Sequence, residues 1–399
     1  MKGKQPTRTD RRRQLAAAAD ACFFTGVGDL AEELCKANVR YAIAKIRHVQ
    51  EALGIAPDAS FVGAPDATIT RNIPRWTAGF GYGGRIRYSG GFALMDVRSN
   101  CCGMFLGAID EPPKPDRLLE RVRALSGEGR LQAETGTSWD FGTSNHFVSV
   151  LRLERELGGQ RHAVLIHGSG PELRDEGAHG PGLYLERSAT LARIARTVET
   201  PWGPLCIIEG EGAKEYRQGY VHADAVSLKR RALLAQVLFP SVRAISNTTH
   251  QGASAVNDYH LGCLVDTGGR VVPLALRADL PVYLLEQLPN LDRGVAEMLG
   301  MAERADRQGL WPMLSNANLL PHGGGYTVPG YRRVRRVVEA GSTRVFELEV
   351  DGDSGARAYH TAFRHVPFGY RGEEVLRRVE ELRLGRVVGR AFPVLEFMV

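Results

Sequence analysis

Glycine punctuates the two stretches that decide the fold class of this chain, Gly79-Phe80-Gly81-Tyr82-Gly83-Gly84 and Gly90-Gly91-Phe92-Ala93-Leu94-Met95. Short apolar runs interrupted in this way are typical of strands joined by tight turns. The sequence before them is different, because residues 10 to 54 are rich in Ala, Leu, Glu, Lys and Arg and carry apolar residues at helical spacing. A helical start followed by strands and loops over residues 61 to 106 predicts the α+β class.

The rest of the chain continues this mixture of elements. The periodicity predicts helices over residues 115 to 126, 181 to 200, 221 to 238, 284 to 305 and 373 to 384. It predicts strands over residues 147 to 152, 162 to 166, 262 to 265, 270 to 276 and 344 to 350. Because no internal repeat and no linker rich in Pro, Gly and Ser interrupts the sequence, we expect residues 61 to 399 to form one large domain of irregular sheets packed with helices. Residues 1 to 60 would precede it as a basic helical segment.

The composition is that of an ordinary globular protein. Of 399 residues, 43% are hydrophobic and 24% are charged, and no stretch approaches the ~20 consecutive apolar residues that a membrane-spanning helix needs. The six cysteines include only one close pair, Cys101 and Cys102, and form no CxxC motif, which argues against a secreted disulfide framework. We therefore expect a cytoplasmic protein whose cysteines are mostly buried small hydrophobic residues.

Basic residues are both in excess and clustered. The formal net charge is +6, and clusters occur at Arg11 to Arg13, at Lys229-Arg230-Arg231, and at Arg332-Arg333 with Arg335-Arg336. Such clusters suit a polyanionic partner such as RNA. For any single cluster a solvated helix face is the simpler interpretation, so the case for RNA depends on the chemistry elsewhere in the chain.

Five segments place metal-binding side chains beside glycine or at the ends of predicted strands, where functional residues are often found. In chain order they are Met95-Asp96-Val97-Arg98-Ser99-Asn100-Cys101-Cys102-Gly103-Met104, Gly142-Thr143-Ser144-Asn145-His146-Phe147-Val148-Ser149-Val150, Ala163-Val164-Leu165-Ile166-His167-Gly168-Ser169-Gly170, Ala244-Ile245-Ser246-Asn247-Thr248-Thr249-His250-Gln251-Gly252 and Leu320-Pro321-His322-Gly323-Gly324-Gly325-Tyr326. Imidazole and thiolate are ligands for Mn, Fe, Co or Zn, and a carboxylate can complete the coordination or bridge two ions. Glycine beside a ligand lets the backbone approach a phosphate, which successive N–H groups can hold.

Each segment has a simpler structural interpretation when it is taken alone. A lone histidine is usually hydrogen-bonded in the core or exposed at the surface, and an adjacent cysteine pair is usually a packing feature. We interpret seven histidines in the first way: His48, His162, His179, His222, His260, His360 and His365. Taken together, the remaining residues predict a buried polynuclear metal site. Its candidate members are Asp96, Cys101 or Cys102 or both, His146, His167, His250 and His322.

The order of these segments resembles that of the RtcB family of RNA ligases. Members of that family carry, in sequence, an Asp followed by Cys-Gly-Met, a Gly-Asn-His-Phe segment, a strand ending in His-Ser-Gly-Ser, a His-Asn segment and a terminal His-Gly-Ala-Gly-Arg. The counterparts here are Asp96 with Cys102-Gly103-Met104, Ser144-Asn145-His146-Phe147, Ile166-His167-Gly168-Ser169-Gly170, Thr249-His250-Gln251 and His322-Gly323-Gly324-Gly325. Two further runs are similar to family segments, so the resemblance spans roughly residues 75 to 399. They are Arg270-Val271-Val272-Pro273-Leu274 and His365-Val366-Pro367-Phe368-Gly369-Tyr370.

The resemblance implies an RtcB-like catalytic domain and a specific reaction. Members of the family use Mn²⁺ and GTP to join RNA that ends in a 3′-phosphate or a 2′,3′-cyclic phosphate to RNA with a 5′-hydroxyl. By this resemblance His322 is guanylylated and GMP then passes to the RNA, while Asn145 contacts a phosphate. Nucleotide binding would involve Asn145, His322, Gly323, Gly324 and Gly325.

The resemblance also assigns metal ligands. Two Mn²⁺ ions are expected, and the same ligands suit Zn, Co or Fe. Cys102 would bridge the ions, with His167 and His250 on one ion and Asp96 and His146 on the other. The connection between Asp96 and the cysteines is longer than in the family, which leaves open whether Cys101 or Cys102 is the ligand.

The chain departs from the family where the family contacts guanine. Ser149 replaces a glutamate, Tyr326 replaces the arginine that closes the nucleophile motif, and the family's C-terminal lysine is absent from Glu396-Phe397-Met398-Val399. The family's Pro-Asp-Val-His segment is not found near Pro74 to Gly79. These departures leave open whether the nucleotide is GTP or another one.

Three functions are compatible with these patterns. The first, which we expect, is a metal-dependent RNA ligase or RNA-repair enzyme that acts through a histidine–nucleotide intermediate. The second is a metal-dependent phosphoesterase or nucleotidyl-transfer enzyme on the same scaffold, which forms no adduct. The third is a non-catalytic RNA-binding paralogue in which metal ions are only structural.

Overall fold

An eleven-stranded sheet is the largest element of the computed structural model, which describes residues 7–126, 138–141, 145–266 and 268–398. The described strands are β1 (Cys22–Phe24), β2 (Ser60–Thr68), β3 (Tyr82–Arg87), β4 (Phe92–Leu94), β5 (Cys102–Ile109), β6 (Phe147–Leu157), β7 (Gln160–Gly168), β8 (Arg196–Val198), β9 (Leu205–Glu209), β10 (Arg243–Ala255), β11 (Asp258–Leu261), β12 (Cys263–Val265), β13 (Val271–Leu274), β14 (Val282–Gln287), β15 (Leu319–Pro321), β16 (Tyr326–Thr327), β17 (Tyr331–Ala340), β18 (Thr343–Val350), β19 (Arg357–His360), β20 (Gly369–Tyr370) and β21 (Gly385–Phe397). The large sheet has the order β1-β2-β3-β11-β10-β5-β7-β6-β21-β14-β13. Its neighbouring strands are antiparallel, apart from the parallel pair β1 and β2.

Ten described helices pack around this sheet and the smaller sheets. They are α1 (Arg8–Asp20), α2 (Leu30–Ala52), α3 (Ile73–Ala78), α4 (Pro115–Ser126), α5 (Ala189–Ile194), α6 (Gly210–Leu238), α7 (Arg293–Met298), α8 (Ala302–Arg307), α9 (Trp311–Ser315) and α10 (Glu374–Glu381). Local sequence sets their beginnings: Thr7 and Asp10 form a capping box at α1, and the Asp29 side chain accepts a hydrogen bond from the N–H of Glu32 at α2.

The middle of the large sheet is buried on both faces. Every residue of β2 and of β5 is buried, α2 packs against β2, and α6 packs against β5, β7 and β10. A strand covered on both faces needs apolar or small residues at successive positions rather than in alternation. This explains the run Cys102-Gly103-Met104-Phe105-Leu106-Gly107-Ala108-Ile109 of β5, and it places the start of that strand inside the protein.

Two arginines of the basic cluster at residues 229 to 231 are buried. Arg230 is 1% exposed and Arg231 is not exposed at all. Nη1 of Arg231 donates hydrogen bonds to the backbone carbonyls of Cys101 and Gly168, at 3.0 and 3.3 Å. The prediction that this cluster suits a polyanion is wrong for these two residues, because their guanidinium groups bond to the protein interior.

The basic cluster on β17 is exposed but is largely paired with acids. Arg333 and Arg335 lie 2.9 and 3.0 Å from Glu349 of β18, and Arg336 lies 2.5 Å from Glu347. Cross-strand ion pairs therefore offset much of the charge of this cluster. RNA binding at this surface stays a prediction.

Several predicted elements are confirmed. The helix predicted over residues 115 to 126 is α4, and the strands predicted near residues 147 to 166 form the hairpin of β6 and β7. Gly158 and Gly159 make the turn between them with φ values of 62° and 78°, a conformation that favours glycine. All six cysteines fall within the described residues and are buried free thiols, as expected.

Three helix predictions are wrong in part. Residues 10 to 54 contain β1 between α1 and α2, and residues 181 to 200 contain a 3₁₀ turn at Leu185–Arg187, the short helix α5 and the strand β8. Residues 284 to 305 begin in β14, which pairs with β13 and β21. Since an apolar run of this length fits either element, pairing with distant strands decides the outcome.

The described elements form one α+β domain, which confirms the predicted class; the RtcB-like architecture stays a prediction. β1 lies before residue 60 and pairs with β2 after it, so the N-terminal segment contributes a strand to the large sheet. The division of the chain at residue 60 also stays a prediction. Across the residues that the structure describes, no helix is long and apolar enough to span a membrane. The cytoplasmic location stays a prediction.

The buried histidine His260 of β11 is expected to make the fold sensitive to acid. Its burial lowers its pKa to about 4, whereas an unfolded histidine has a pKa of about 6.5. The unfolded chain therefore takes up a proton below about pH 6.5 that the folded chain does not, so the contribution of neutral His260 to stability is present above that pH and is lost as the pH falls towards 4. Between about pH 7.5 and pH 5, the unfolding free energy of the wild type should fall by about 2 kcal/mol more than that of His260→Gln.

Urea denaturation of the wild type and of His260→Gln at the two pH values measures this effect. His222→Gln, at an exposed position on α6, is the matched surface control and should follow the wild type. Equal losses of stability in the wild type and in His260→Gln would contradict the prediction.

Candidate metal centre

Four adjacent strands of the large sheet bring predicted ligands together at one end of the sheet. Cys102 begins β5, His167 is near the end of β7, His250 lies within β10, and His146 immediately precedes β6. The strands follow one another in the order β10-β5-β7-β6. In this register Met104 of β5 lies opposite His167. Residues far apart in the sequence are therefore neighbours because of strand pairing.

A β-bulge directs His250 towards this group. Thr249 pairs with Gly103 and Gln251 pairs with Cys102, so His250 has no partner position on β5. An extra residue of this kind bends the strand and changes the direction of its side chain. His250 is completely buried, and its ring points at the neighbouring ligands.

The donor atoms of the cluster lie close together. Sγ of Cys102 is 3.3 Å from Nε2 of His146 and 3.3 Å from Nε2 of His167. Nε2 of His167 is also 3.3 Å from Nε2 of His250. The donor atoms of Cys102, His167 and His250 all lie within 4.8 Å of one another, and all three residues are buried. These three residues could hold a metal ion.

Hydrogen bonds orient the histidine rings so that Nε2 faces the thiol. Nδ1 of His146 is 2.7 Å from Oδ2 of Asp140, and Nδ1 of His167 is 3.0 Å from the carbonyl oxygen of Asn145. Because both oxygens accept, each Nδ1 carries a proton, and Nε2 is the ring nitrogen available to a metal ion. A cation between these nitrogens and the sulfur, either a proton or a metal ion, offsets the repulsion between their electron pairs. Donation of Nδ1–H to a carboxylate or a carbonyl is also how metal-binding histidines are usually oriented.

The charges of the cluster favour a thiolate. Burial alone would raise the pKa of Cys102, but His167, His146 and His250 outweigh it and hold that pKa well below its ordinary value. Burial likewise opposes a charge on His146, yet Cys102 and Asp140 raise its pKa to about 10. Burial holds the pKa of His250 well below its ordinary value. A thiolate among imidazoles is a donor set for borderline and soft metal ions.

The structure distinguishes the two adjacent cysteines. Cys101 is completely buried in the main hydrophobic core, and its carbonyl accepts hydrogen bonds from Ser227 and Arg231 at 2.9 and 3.0 Å. Its φ of 58° is a left-handed conformation that turns the chain sharply before Cys102. Of the two cysteines, Cys102 is therefore the one whose sulfur reaches the histidines.

Asp96 is the predicted ligand that the structure does not bring to the cluster. Its Oδ2 instead accepts a hydrogen bond from the backbone N–H of Cys206, on β9, at 2.8 Å. Burial raises the pKa of Asp96. The carboxylate beside the histidines comes from Asp140, which no sequence motif indicated.

His322 lies beside the cluster and is held separately. Its ring centroid is 4.1 Å from that of His250 and 6.4 Å from that of His167. Its Nδ1 is 2.6 Å from the carbonyl oxygen of Gly262 and 3.1 Å from Oδ2 of Asp66. Since both partners accept, Nδ1 carries the proton and Nε2 keeps the lone pair. This orientation suits either a nucleophile or a metal ligand.

Asp66 is a candidate functional residue that was missed in the sequence. It is completely buried, and its Oδ1 has no hydrogen-bond partner among the described residues. The sequence did contain one signal, an aspartate inside an otherwise apolar run. Burial of a carboxylate without a partner is costly, so an aspartate at such a position indicates a specific role.

The glycine loop at residues 323 to 325 packs directly against other backbone segments. A Cβ on Gly324 would lie 2.4 Å from the carbonyl oxygen of Arg371. A Cβ on Gly325, whose φ is 66°, would lie 2.4 Å from the carbonyl oxygen of Asp66. Only glycine permits this approach, so the loop that follows the candidate nucleophile has a defined path.

A cavity of about 580 Å³ opens beside the cluster, a volume that suits a ligand of nucleotide size. Its walls include these predicted site residues: Asn145, His167, His322, Gly323, Gly324 and Gly325. Arg71, Arg75 and Arg277 also line it. Guanidinium groups of this kind attract and orient phosphate.

One acidic group enters the cavity wall from a distant strand. Oγ of Ser149 donates a hydrogen bond to Oε2 of Glu396 at 3.0 Å, at the position where the resemblance to the RtcB family predicts a glutamate. Glu396 is on β21, directly opposite Ser149, and both residues line the cavity. This wall of the cavity therefore still carries a carboxylate, that of Glu396, although residue 149 is a serine.

Residues 142–144 and Val399, which belong to two of the segments compared with the RtcB family, lie outside the described residues. No protein-family model and no curated protein matches this chain. The site is therefore defined by its geometry, with a buried cysteine and histidines that could hold a metal ion and a further histidine at the wall of the cavity.

Proposed function

We propose that this chain is a metal-dependent RNA ligase or RNA-repair enzyme that acts through a His322–nucleotide adduct. The proposal combines the resemblance to the RtcB family with the geometry of the site. Its substrates would be RNA ending in a 3′-phosphate or a 2′,3′-cyclic phosphate, RNA with a 5′-hydroxyl, and GTP or another nucleoside triphosphate. The arginines and the glycine loop of the cavity support a substrate rich in phosphate.

The cluster supports a metal centre in this enzyme. Cys102, His167 and His250 would hold one divalent ion, and Cys102 with His146 would contribute to a second. The donor set fits, because the thiolate can be shared and the Nδ1–H groups of His146 and His167 are already held by acceptors. Mn²⁺ is proposed from the family resemblance, and Zn, Co or Fe suit the same ligands. When bound, the ions would neutralise charge that develops on the reacting phosphate.

His322 would act as the nucleophile. The lone pair of its Nε2 would form a bond to the α-phosphorus while the bond from that phosphorus to the bridging oxygen breaks and pyrophosphate leaves. The proton stays on Nδ1, where the Gly262 carbonyl and the Asp66 carboxylate hold it and offset the charge on the ring. RNA that ends in a 2′,3′-cyclic phosphate would first take up water, which breaks the bond from phosphorus to the 2′-oxygen and leaves a 3′-phosphate. The 3′-phosphate of the RNA would then displace His322, and the 5′-hydroxyl of the second RNA, losing its proton, would displace the nucleoside monophosphate.

The observation that carries this proposal is the orientation of His322. Among the residues that the structure describes, both hydrogen bonds of His322 go to Nδ1, and His322 shares the cavity wall with His167 of the cluster. A histidine with only a structural role would more often be satisfied at both ring nitrogens. Here the lone pair of Nε2 is left next to the metal cluster, where a phosphate could react.

Incubation of the purified protein with Mn²⁺ and GTP or ATP labelled at the α-phosphate tests the proposal. The expected result is a covalent label that is stable in alkali and lost in acid, as a phosphorus–nitrogen bond requires. RNA with a 3′-phosphate should then remove the label and become joined to RNA with a 5′-hydroxyl. Metal-loaded protein that takes no label from either nucleotide would overturn the proposal. RNA hydrolysis without joining would indicate a phosphoesterase, and metal-independent RNA binding alone would indicate a non-catalytic role.

Asp66→Asn is expected to slow adduct formation about tenfold to a hundredfold without loss of bound metal. The amide has the same size but lacks the negative charge that offsets the imidazolium formed in the reaction. The measurement is the initial labelling rate at saturating nucleotide, together with the metal content. Asp110→Asn, which alters an exposed acid 3.6 Å from Arg243, is the matched control. Labelling of Asp66→Asn at the wild-type rate would remove Asp66 from the mechanism.

A further inference from the structure

Three partly exposed aromatic residues form a cluster at the edge of the cavity. Tyr326 and Tyr370 line the cavity, and the ring of Phe368 packs edge-on against both, with centroid distances of 5.2 and 5.8 Å. Phe368 and Tyr370 are 36% and 37% exposed. Large aromatic rings that contact one another and still face solvent are more typical of a binding surface than of a core. These three residues are called the aromatic platform below.

Two short strands fix the platform next to the candidate nucleophile. Tyr326 of β16 lies directly opposite Tyr370 of β20, and their rings are 5.4 Å apart at an angle of 35°. Directly opposed residues of antiparallel strands have their side chains on the same face. β16 follows the glycine loop at residues 323 to 325 without interruption, so the platform is tied to His322 through a loop of defined path.

Positive charge is interleaved with the platform. The guanidinium of Arg71 lies 4.1 Å from the ring centroid of Phe368, and Arg71 also lines the cavity. Its Nε has no hydrogen-bond partner in the part of the chain that the structure describes. Arg75 and Arg277 line the same cavity, where Arg75 donates to the backbone carbonyls of Val97 and Arg98 and Arg277 is paired with Asp279 at 2.6 Å. Rings that can stack on bases, next to cations that can contact phosphates, are the combination by which proteins bind single-stranded nucleic acid.

We infer that the aromatic platform stacks the unpaired terminal base of an RNA strand whose phosphate end enters the cavity. The inference rests on the proposed function, because an RNA end brings a base and a terminal phosphate to the site together. An apolar protein segment would gain nothing from the guanidinium of Arg71, which lies over Phe368 in the cavity wall. A free mononucleotide would be enclosed in the cavity next to His322, whereas the rings of Phe368 and Tyr370 face solvent, as suits a strand that continues outwards.

Fluorescence anisotropy with a short labelled RNA ending in a 3′-phosphate tests the inference. A second probe has the same length and the same terminal phosphate but an abasic terminal nucleotide. The wild type should bind the first RNA about tenfold more tightly, since one stacked base contributes a factor of this order. Tyr370→Leu should bind both RNAs with equal and weaker affinity, and Tyr370→Phe should restore the preference. Tyr359→Leu, at a position of β19 that is 56% exposed and outside the cavity wall, should behave like the wild type.

Three results would overturn the inference. In the first, the wild type binds neither RNA or does not distinguish the two. In the second, the preference for the terminal base survives in Tyr370→Leu. In the third, a mononucleotide competes fully for the base-dependent part of the binding. The covalent labelling of His322 needs no RNA, so it is scored separately. Labelling without a base preference refutes the platform alone, and a base preference without labelling refutes the ligase proposal and leaves the platform as a binding site for RNA ends.

Discussion

Cys102→Ala is expected to lower the metal content of the purified protein to about a tenth of the wild-type value or less. Cys102 is the only residue whose donor atom lies 3.3 Å from two of the described histidines at once, His146 and His167. Its loss removes the thiolate of the cluster, whose negative charge offsets that of a bound cation, and leaves only neutral imidazole donors beside it. Removal of groups that only orient ligands already weakens metal binding about tenfold to a hundredfold, so loss of a ligand should weaken it at least as much.

Cys101→Ala is the matched control for this variant. Cys101 precedes Cys102 in the sequence and is equally buried, but its side chain belongs to the hydrophobic core. We expect Cys101→Ala to keep its metal and to lose about 1 kcal/mol of stability through the missing core atom. Metal content by elemental analysis and thermal unfolding should be measured on both variants, with Cys102→Ser as a second substitution in case Cys102→Ala does not fold. If folded Cys102 variants keep their metal while Cys101→Ala loses it, the two cysteines have been assigned the wrong way round.

Local sequence was sufficient to predict that three residues near strand ends come together in one cluster. Cys102, His146 and His167 each adjoin an apolar run with glycine nearby, and each lies at or next to the end of a strand in the structure. A polar side chain at the end of a buried strand usually faces a functional site or a turn. The α+β class followed from the same alternation of glycine-punctuated and helical sequence.

The order of the strands in the large sheet could not be predicted from the sequence. The residues that contact the candidate ligands could therefore not be predicted either. β10 lies between β11 and β5, and β5 pairs with β7 across a separation that includes α4. Such pairings depend on burial over the whole domain and leave little trace in any short segment. The contact between His322 and Asp66 spans 256 residues, so no short segment of the sequence indicates that this carboxylate is the partner of His322.

The buried charges were the other feature hidden from the sequence. A cluster such as Lys229-Arg230-Arg231 has the same composition whether it faces solvent or the interior. Only the structure shows that Arg231 bonds to the carbonyls of Cys101 and Gly168, next to two ligands of the cluster. In the same way, the acid beside His146 is Asp140 rather than Asp96, whose carboxylate instead accepts a hydrogen bond from the backbone N–H of Cys206 on β9.

His322→Ala is expected to abolish the covalent label and to reduce RNA joining to about a thousandth of the wild-type rate or less, while the protein keeps its metal. Removal of a nucleophile with no substitute typically lowers the rate by several orders of magnitude. Retention of metal is expected because Cys102, His167 and His250 meet without His322. The measurements are labelling with the α-labelled nucleotide, joining of RNA ends, and metal content, all on the same preparation. His222→Ala, at an exposed site on α6, is the control for the loss of one histidine.

The metal content of His322→Ala decides between the two roles that its geometry allows. The ring of His322 is 4.1 Å from that of His250, close enough that it could serve as a ligand instead of a nucleophile. If His322 is a metal ligand, its replacement also lowers the metal content, and the label is then lost because the metal centre is empty. Loss of the label from a variant that keeps its metal and its thermal stability can be explained only by the missing Nε2. A His322→Ala protein that is still labelled at the wild-type rate would refute the adduct at this residue, and loss of metal in the same variant would make His322 a ligand of the centre.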